Sequence, residues 1–218
     1  LSEARYIGIA VMSQPIKIIQ ARSEKNPSAA MYWLLVSLFV FEYLRLQSFV
    51  PAIEILHVPF VLGVILGMYW LIKGDKRVLT DSLIKLFIVF ILLCASSVLF
   101  AVNTFLPYKN TQLLTIFLFT VVLPFIFIVG NEQRLHRFIP FWVWIHAGLA
   151  ALAITKGGTG SGGFLEDEND LALALDMAVP YAWYLATVPG AKLGRKLVYF
   201  SIFGLLIVGI VTTISRGG

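Results

Sequence analysis

The residues Thr213-Ile214-Ser215-Arg216-Gly217-Gly218 set an arginine beside a serine and two glycines, at the far end of an apolar run that starts at Leu197. A guanidinium keeps its charge at any physiological pH and offers a fork of N–H groups that matches two phosphate oxygens. Small neighbours leave such a fork accessible to a bulky anion. The same arginine also suits an interfacial anchor whose side chain snorkels to lipid headgroups, so position alone leaves both readings open. A second guanidinium, Arg45, follows Glu42 by three residues and shares a helical face with it. That pair reads either as a helix-end anchor with its counter-ion or as a cation projecting into an outward cavity.

The stretch from Lys156 to Asp170 is the other unusual feature. Gly157-Gly158-Thr159-Gly160-Ser161-Gly162-Gly163 precedes Phe164-Leu165 and the acidic run Glu166-Asp167-Glu168-Asn169-Asp170. No lysine and Ser/Thr pair follows the glycines, which excludes a P-loop, and the carboxylates lack the alternate spacing of an EF-hand. What is expected is a flexible hinge leading to an acidic turn, with Asn169 or Asp170 capping a helix. The surplus acids fit a cation or sugar-hydroxyl site and a solvated loop equally. Asp176, inside the next apolar stretch, is expected to face the protein interior or a wet cavity, and Pro180 four residues later implies a kink. Lys109, with Pro107 and Tyr108, is read as part of an outer loop over residues 103–112 that adds positive potential. His57 at a boundary is an ordinary hydrogen-bonded residue more often than a catalyst. The three histidines and the single cysteine, Cys94, give no metal-ligand spacing, no disulfide and no Ser-His-Asp pattern.

These side chains must be positioned by membrane helices. The 218 residues are 59% apolar and 13% charged, far from the balance of a soluble domain, and the mean hydropathy is +0.86. Seven apolar stretches approach the length that crosses a bilayer: Met31–Leu46, Pro59–Ile72, Leu83–Val102, Leu113–Val129, Phe138–Thr155, Leu171–Val188 and Leu197–Ile214. None alternates with period two, and open strands cannot satisfy their backbone in lipid, so the expected fold is an all-α polytopic bundle. Gly63 and Gly67 form a GxxxG that favours close helix packing in the second stretch.

The basic residues punctuate these stretches asymmetrically. Arg5, Lys17, Arg22, Lys25, Lys73, Lys76, Arg77, Lys85, Arg134, Arg137, Lys192, Arg195 and Lys196 fall on one side of an alternating path; only Arg45, Lys109, Lys156 and Arg216 fall on the other. Cytoplasmic loops carry the excess of Lys and Arg. The expectation is seven spans, an inside N-terminus and an outside Arg216, with residues 1–30 as a cytoplasmic or interfacial segment before a bundle over 31–218. Within that segment Ile7–Gln20 reads as an interfacial helix or a disordered leader. This distribution of charge also replaces the nucleic-acid reading that a pI of 9.4 would otherwise invite.

Three stretches, in order, resemble the bacterial O-antigen ligase and polymerase superfamily, including members of exosortase and exopolysaccharide clusters. They are Phe41-Glu42-Tyr43-Leu44-Arg45-Leu46-Gln47-Ser48 followed by Pro51, then Gly163-Phe164 through Glu168-Asn169-Asp170-Leu171-Ala172-Leu173-Ala174-Leu175 with Met177 and Pro180, and Ser215-Arg216-Gly217. The resemblance implies a multi-pass inner-membrane glycosyltransferase that uses no metal or other cofactor. Its donor would be a glycan on undecaprenyl diphosphate, and its acceptor a hydroxyl of a glycan, lipid A core or protein at the periplasmic face. Arg216, with Ser215 and Arg45, would hold the diphosphate; Asp167, Glu168, Asn169, Asp170, Asp176 and Lys109 are the outer-loop and cavity candidates. The essential histidine of such families lies in a large outer loop, expected beyond Gly218, so this chain alone is expected to be inactive. The alternatives are a transporter or flippase for an anionic or lipid-linked solute and a membrane scaffold.

Overall fold

The computed structural model of the chain describes residues 27–46, 56–160 and 165–214. Among them all regular structure is helical: α1 (Ala29–Leu44), α2 (Val58–Lys73), α3 (Ser82–Ser97), α4 (Phe105–Val129), α5 (Glu132–Thr155), α6 (Glu168–Thr187) and α7 (Leu193–Ile214), with a short 3-10 turn at Lys76–Thr80. Each of the seven apolar stretches is therefore a helix. By length and composition α4, α5 and α7 are able to cross a membrane. Helices α1, α2 and α3 are apolar but have 16 residues each, about 24 Å of rise against a hydrocarbon core of about 30 Å. Helix α6 has the length, 20 residues, but carries three carboxylates. The interfacial helix read at Ile7–Gln20 lies outside the described residues.

Local chemistry explains where the helices begin. Asp81 accepts from the Leu83 N–H at 3.0 Å to open α3, and Asn131 accepts from the Arg134 N–H at 2.8 Å to open α5. One boundary differs from the sequence reading. Residues 105–112, expected as outer loop, are the first turns of α4, and Lys109 is an exposed helical residue rather than a loop cation. Pro107 sits in the first turn, where its missing N–H removes no helical hydrogen bond, and Asn103 accepts from the Phe105 N–H at 3.0 Å. Proline in the sequence marked a start, not a break.

The described residues belong to two compact units, Leu1–Leu35 with Leu62–Arg134 and Val36–Val61 with Leu135–Gly218. In the first, the glycine pair of α2 seats that helix against α4. A Cβ on Gly67 would stand 3.0 Å from the Phe119 carbonyl oxygen, and one on Gly63 would stand 3.2 Å from the Thr120 Cβ. Both meet a π turn at Leu118–Val122, where the Leu123 N–H reaches back five residues to the Leu118 carbonyl. Pro124 follows directly and has no N–H for the ordinary ladder, a sufficient cause for the re-registration. Tyr69 also meets Phe127, so α2 and α4 run in the same direction. The core beneath is Trp70, Val78, Ile84, Leu118 and Leu123. Lys76 closes α2: its ammonium lies 3.9 Å over the Trp70 ring and donates to the Trp70 and Leu71 carbonyls. Arg134 does the same for α4 through the Ile128 carbonyl at 3.0 Å, and also holds the Pro27 carbonyl.

The second unit packs the C-terminal half of α1 with α5, α6 and α7. Its contact faces are built from small residues: Ala147, Ala150 and Ala153 on α5, and Ala174, Ala178 and Ala182 on α6, all buried. Gly209 of α7 lies between the two helices; a Cβ there would be 3.0 Å from both the Ala150 Cβ and the Leu175 Cδ1. At the other end of the α6–α7 contact Trp183 meets Phe200 and Phe203, so these helices are antiparallel. Helix α1 runs parallel to α5, Phe39 against Phe138 and Trp142, then Tyr43 against Trp142 and His146, then Leu44 over Gly148. The parallel pairs, α2 with α4 in one unit and α1 with α5 in the other, join helices of the same parity.

Overpacking at the three-helix contact has a measurable cost. Gly209→Leu is expected to lose about 1–3 kcal/mol of stability. Gly204→Ala, whose new Cβ would meet nothing within 4 Å, is expected to be neutral or to gain a few tenths of a kcal/mol. Thermal unfolding of the detergent-solubilised variants checks the contrast.

Candidate functional site

The end of α5 shows why the loop after it is rich in glycine. Gly157 and Gly158 have φ of 66° and 96°, the left-handed region that glycine enters without penalty. The Gly158 N–H donates to the Ala153 carbonyl at 2.8 Å and the Gly157 N–H to the Ile154 carbonyl at 3.3 Å, which is a Schellman termination of the helix. Gly158 also lies directly against the end of α7: a Cβ there would fall 2.7 Å from the Thr212 carbonyl oxygen. Gly160 is pressed against the Leu165 main chain, and the Leu165 side chain is fully buried in the unit's core. Where the sequence suggested a hinge, Gly157 supplies the left-handed turn and Gly158 and Gly160 permit close backbone approach. Residues 161–164 lie outside the described residues.

The acidic turn starts α6, with a correction to the capping residue. Asp167, and neither Asn169 nor Asp170, is the N-cap; its carboxylate accepts from the Asn169 N–H at 2.8 Å and the Asp170 N–H at 3.4 Å. The helix consequently begins at Glu168, three residues before the expected start of the apolar stretch. Asn169 and Asp170 are exposed, and Glu168 is partly buried. No group of three or more His, Cys, Asp or Glu able to hold a metal occurs among the described residues.

Glu42 and Arg45 do form an electrostatic pair at the end of α1. Arg45 follows the last helical residue with φ of 47°, and His57, just before α2, has φ of 43°. A non-glycine residue in this region costs about 1–2 kcal/mol, and such strain concentrates where a chain must turn tightly or present a group. The turn between them, with Gln47 and Glu54, lies outside the described residues. Leu44 packs at the level of Gly148, seven residues before Thr155, so Arg45 sits about 10 Å below the end of α5 along its axis.

Two further residues of this unit, Asp176 and His146, have contrasting surroundings. Asp176 does not face the interior of its unit; it lies on the exposed face of α6, while Leu171, Ala174, Leu175 and Ala178 occupy the buried face. His146 is fully buried in an aromatic cluster, its ring 4.2 Å from that of Trp142 and 4.9 Å from that of Tyr43. Its Nδ1 is 2.8 Å from the Trp142 carbonyl, which assigns the proton to Nδ1 and leaves Nε2 as an acceptor with no hydrogen-bond partner among the described residues. Aromatics four residues apart at Phe138, Trp142 and His146 were the available signal. Ser215 and Arg216 lie outside the described residues; the helix that leads to them is described as far as Ile214. What the structure does bring together, in one unit, is the end of α5, the start of α6 and the end of α7.

Comparison with family models, with curated proteins and with solved structures finds no match for this chain.

The cap assignment separates the acids by experiment. Asp167→Ala is expected to cost about 1 kcal/mol, with Asp167→Asn retaining most of it, while Asn169→Ala and Asp170→Ala each cost less than about 0.5 kcal/mol. Urea or thermal unfolding in detergent reads the difference.

Proposed function

We propose that this chain forms part of a membrane glycosyltransferase of the O-antigen ligase and polymerase type, working at the outer face of the bacterial inner membrane. The observation that carries the reading is the packing of the Gly158 backbone against the Thr212 carbonyl. It gathers the Lys156 loop, the acidic start of α6 and the end of the helix that leads into Ser215-Arg216. Two further supports are the uneven distribution of Lys and Arg along the chain and the pairing of same-parity helices in parallel, as an alternating seven-span path requires.

In such a reaction the acceptor hydroxyl oxygen bonds to the anomeric carbon of the lipid-linked sugar. The bond from that carbon to the diphosphate oxygen breaks, and its electron pair leaves with the diphosphate. The hydroxyl proton passes to a base, for which no residue of this chain is assigned. Additional negative charge therefore develops on the leaving group. A fixed guanidinium is suited to stabilise it, since its charge is permanent and its N–H fork engages two oxygens. Arg216 is assigned this role with Ser215 beside it, and Arg45 contributes positive potential from the end of α1. The donor is a glycan on undecaprenyl diphosphate; the acceptor is a hydroxyl on a glycan, lipid A core or protein. The alternative, a transporter or flippase for an anionic or lipid-linked solute, would use the kinked α6 and the outer arginines as its gate.

Arg216→Lys is the decisive substitution, because it keeps the charge and removes the fork. In the intact protein, Arg216→Ala and Arg216→Lys are both expected to abolish glycan transfer from a lipid-diphosphate donor with expression unchanged. Full transfer by the purified Arg216→Lys protein would overturn the bidentate contact.

A further inference from the structure

The exposed face of α6 has an anomaly that neither glycan transfer nor packing within its unit uses. Leu173, Asp176, Met177, Pro180 and Tyr184 follow helical spacing, and all five are exposed. Among the described residues the Asp176 carboxylate has no ion-pair or hydrogen-bond partner. A second deficit lies at the same residue. Pro180 is four positions on and has no N–H, so the Asp176 carbonyl cannot receive its helical hydrogen bond. One point on this face therefore offers two carboxylate oxygens and a main-chain oxygen, surrounded by a leucine, a methionine and a tyrosine.

Depth makes this costly. Asp176 follows Leu175, which packs at Gly209 and thus at the level of Ala150. That level is five residues short of the ends of both α5 and α7, two helices able to cross a membrane. Measured along α6, Asp176 is about 12 Å from the first residue of the helix, Glu168. In a bilayer spanned by α5 and α7, hydrocarbon at that level supplies no donors for the carboxylate.

We infer that the Leu173–Tyr184 face of α6 is a docking surface for a membrane helix that presents a lysine or arginine at the depth of Asp176. Charge selects this occupant. The face displays only acceptors at its centre, so its complement must donate, and a cationic side chain satisfies the carboxylate and the freed carbonyl together. A second copy of this chain packed symmetrically through the same face would set one Asp176 against another and supply acceptors where donors are needed. Leu173, Met177 and Tyr184 then furnish the apolar contact around the pair, with Pro180 leaving a shallow backbone surface between them.

The test uses the protein in phosphatidylcholine nanodiscs with synthetic 21-residue leucine-rich helices that differ at one central position. Energy transfer between a labelled helix and the labelled protein reads binding. The helix with a central lysine is expected to bind on the order of tenfold tighter than the all-leucine helix. That preference is expected to vanish in Asp176→Leu and to shrink in Asp176→Asn. Moving the lysine to the helix terminus is expected to remove it as well. Thermal unfolding of Asp176→Leu is expected to be undiminished, since the residue is exposed, which separates lost docking from lost folding. Equal binding of the lysine and leucine helices overturns the proposal, as does a preference that survives in Asp176→Leu. So does energy transfer between two copies of the protein that depends on Asp176 without any added helix.

Discussion

The contact at Gly209 is the constraint on which the second unit depends. Three helices meet there, α7 carrying no side chain at the crossing and α5 and α6 presenting Ala150 and the Leu175 side chain. In a membrane the hydrophobic effect gives little reason for one apolar helix to choose another over lipid, so association rests on close van der Waals fit and the few polar contacts small residues permit. The alanine faces of α5 and α6 are the matching surface. With α7 held at that distance, its last turn arrives beside the end of α5, where Gly158 lies against the Thr212 carbonyl. A bulkier residue at either position would separate the two ends and with them everything assigned to the outer face.

The polar groups that this packing leaves over are satisfied locally, as a low-dielectric surrounding demands. Thr111, Thr115 and Thr120 of α4 donate to carbonyls four residues back, and Thr187 and Thr212 do so in α6 and α7. Lys76 and Arg134 turn their charge onto the carbonyls that end α2 and α4. These arrangements remove those seven side chains from any functional argument. They also isolate the few for which no such partner exists among the described residues, Asp176 and the Nε2 of His146 above all.

Helix existence was legible in the sequence because it depends on composition over about 20 residues, a signal that single residues do not blur. Seven apolar stretches became seven helices, and the GxxxG of Gly63 and Gly67 became a close helix contact. Boundaries were less legible. Residues 103–112 read as loop because they fall between two apolar stretches, although the helix extends back through them with Pro107 in its first turn, and Lys109 is helical with them. In the acidic run Asp167, Asn169 and Asp170 share the chemistry of a cap, and only the backbone geometry chose Asp167. The direction a side chain faces was not legible at all for Asp176, since hydropathy reports that a residue lies in an apolar segment and not which side of the helix faces neighbours. The Gly209 contact was hidden for the same reason: a lone glycine in an apolar run names no partner.

The claim that organises the rest is that the α5–α6 loop and the segment after α7 share the outer side of the membrane. The most direct test replaces the only cysteine, in Cys94→Ser, and introduces single cysteines at Glu166, Ser215, Arg137 and Lys192. Intact cells are then treated with a membrane-impermeant maleimide. Labelling of positions 166 and 215 without permeabilisation, and of 137 and 192 only after it, is the expected pattern. Labelling of 215 only after permeabilisation, or of 166 and 215 from opposite sides, would contradict it.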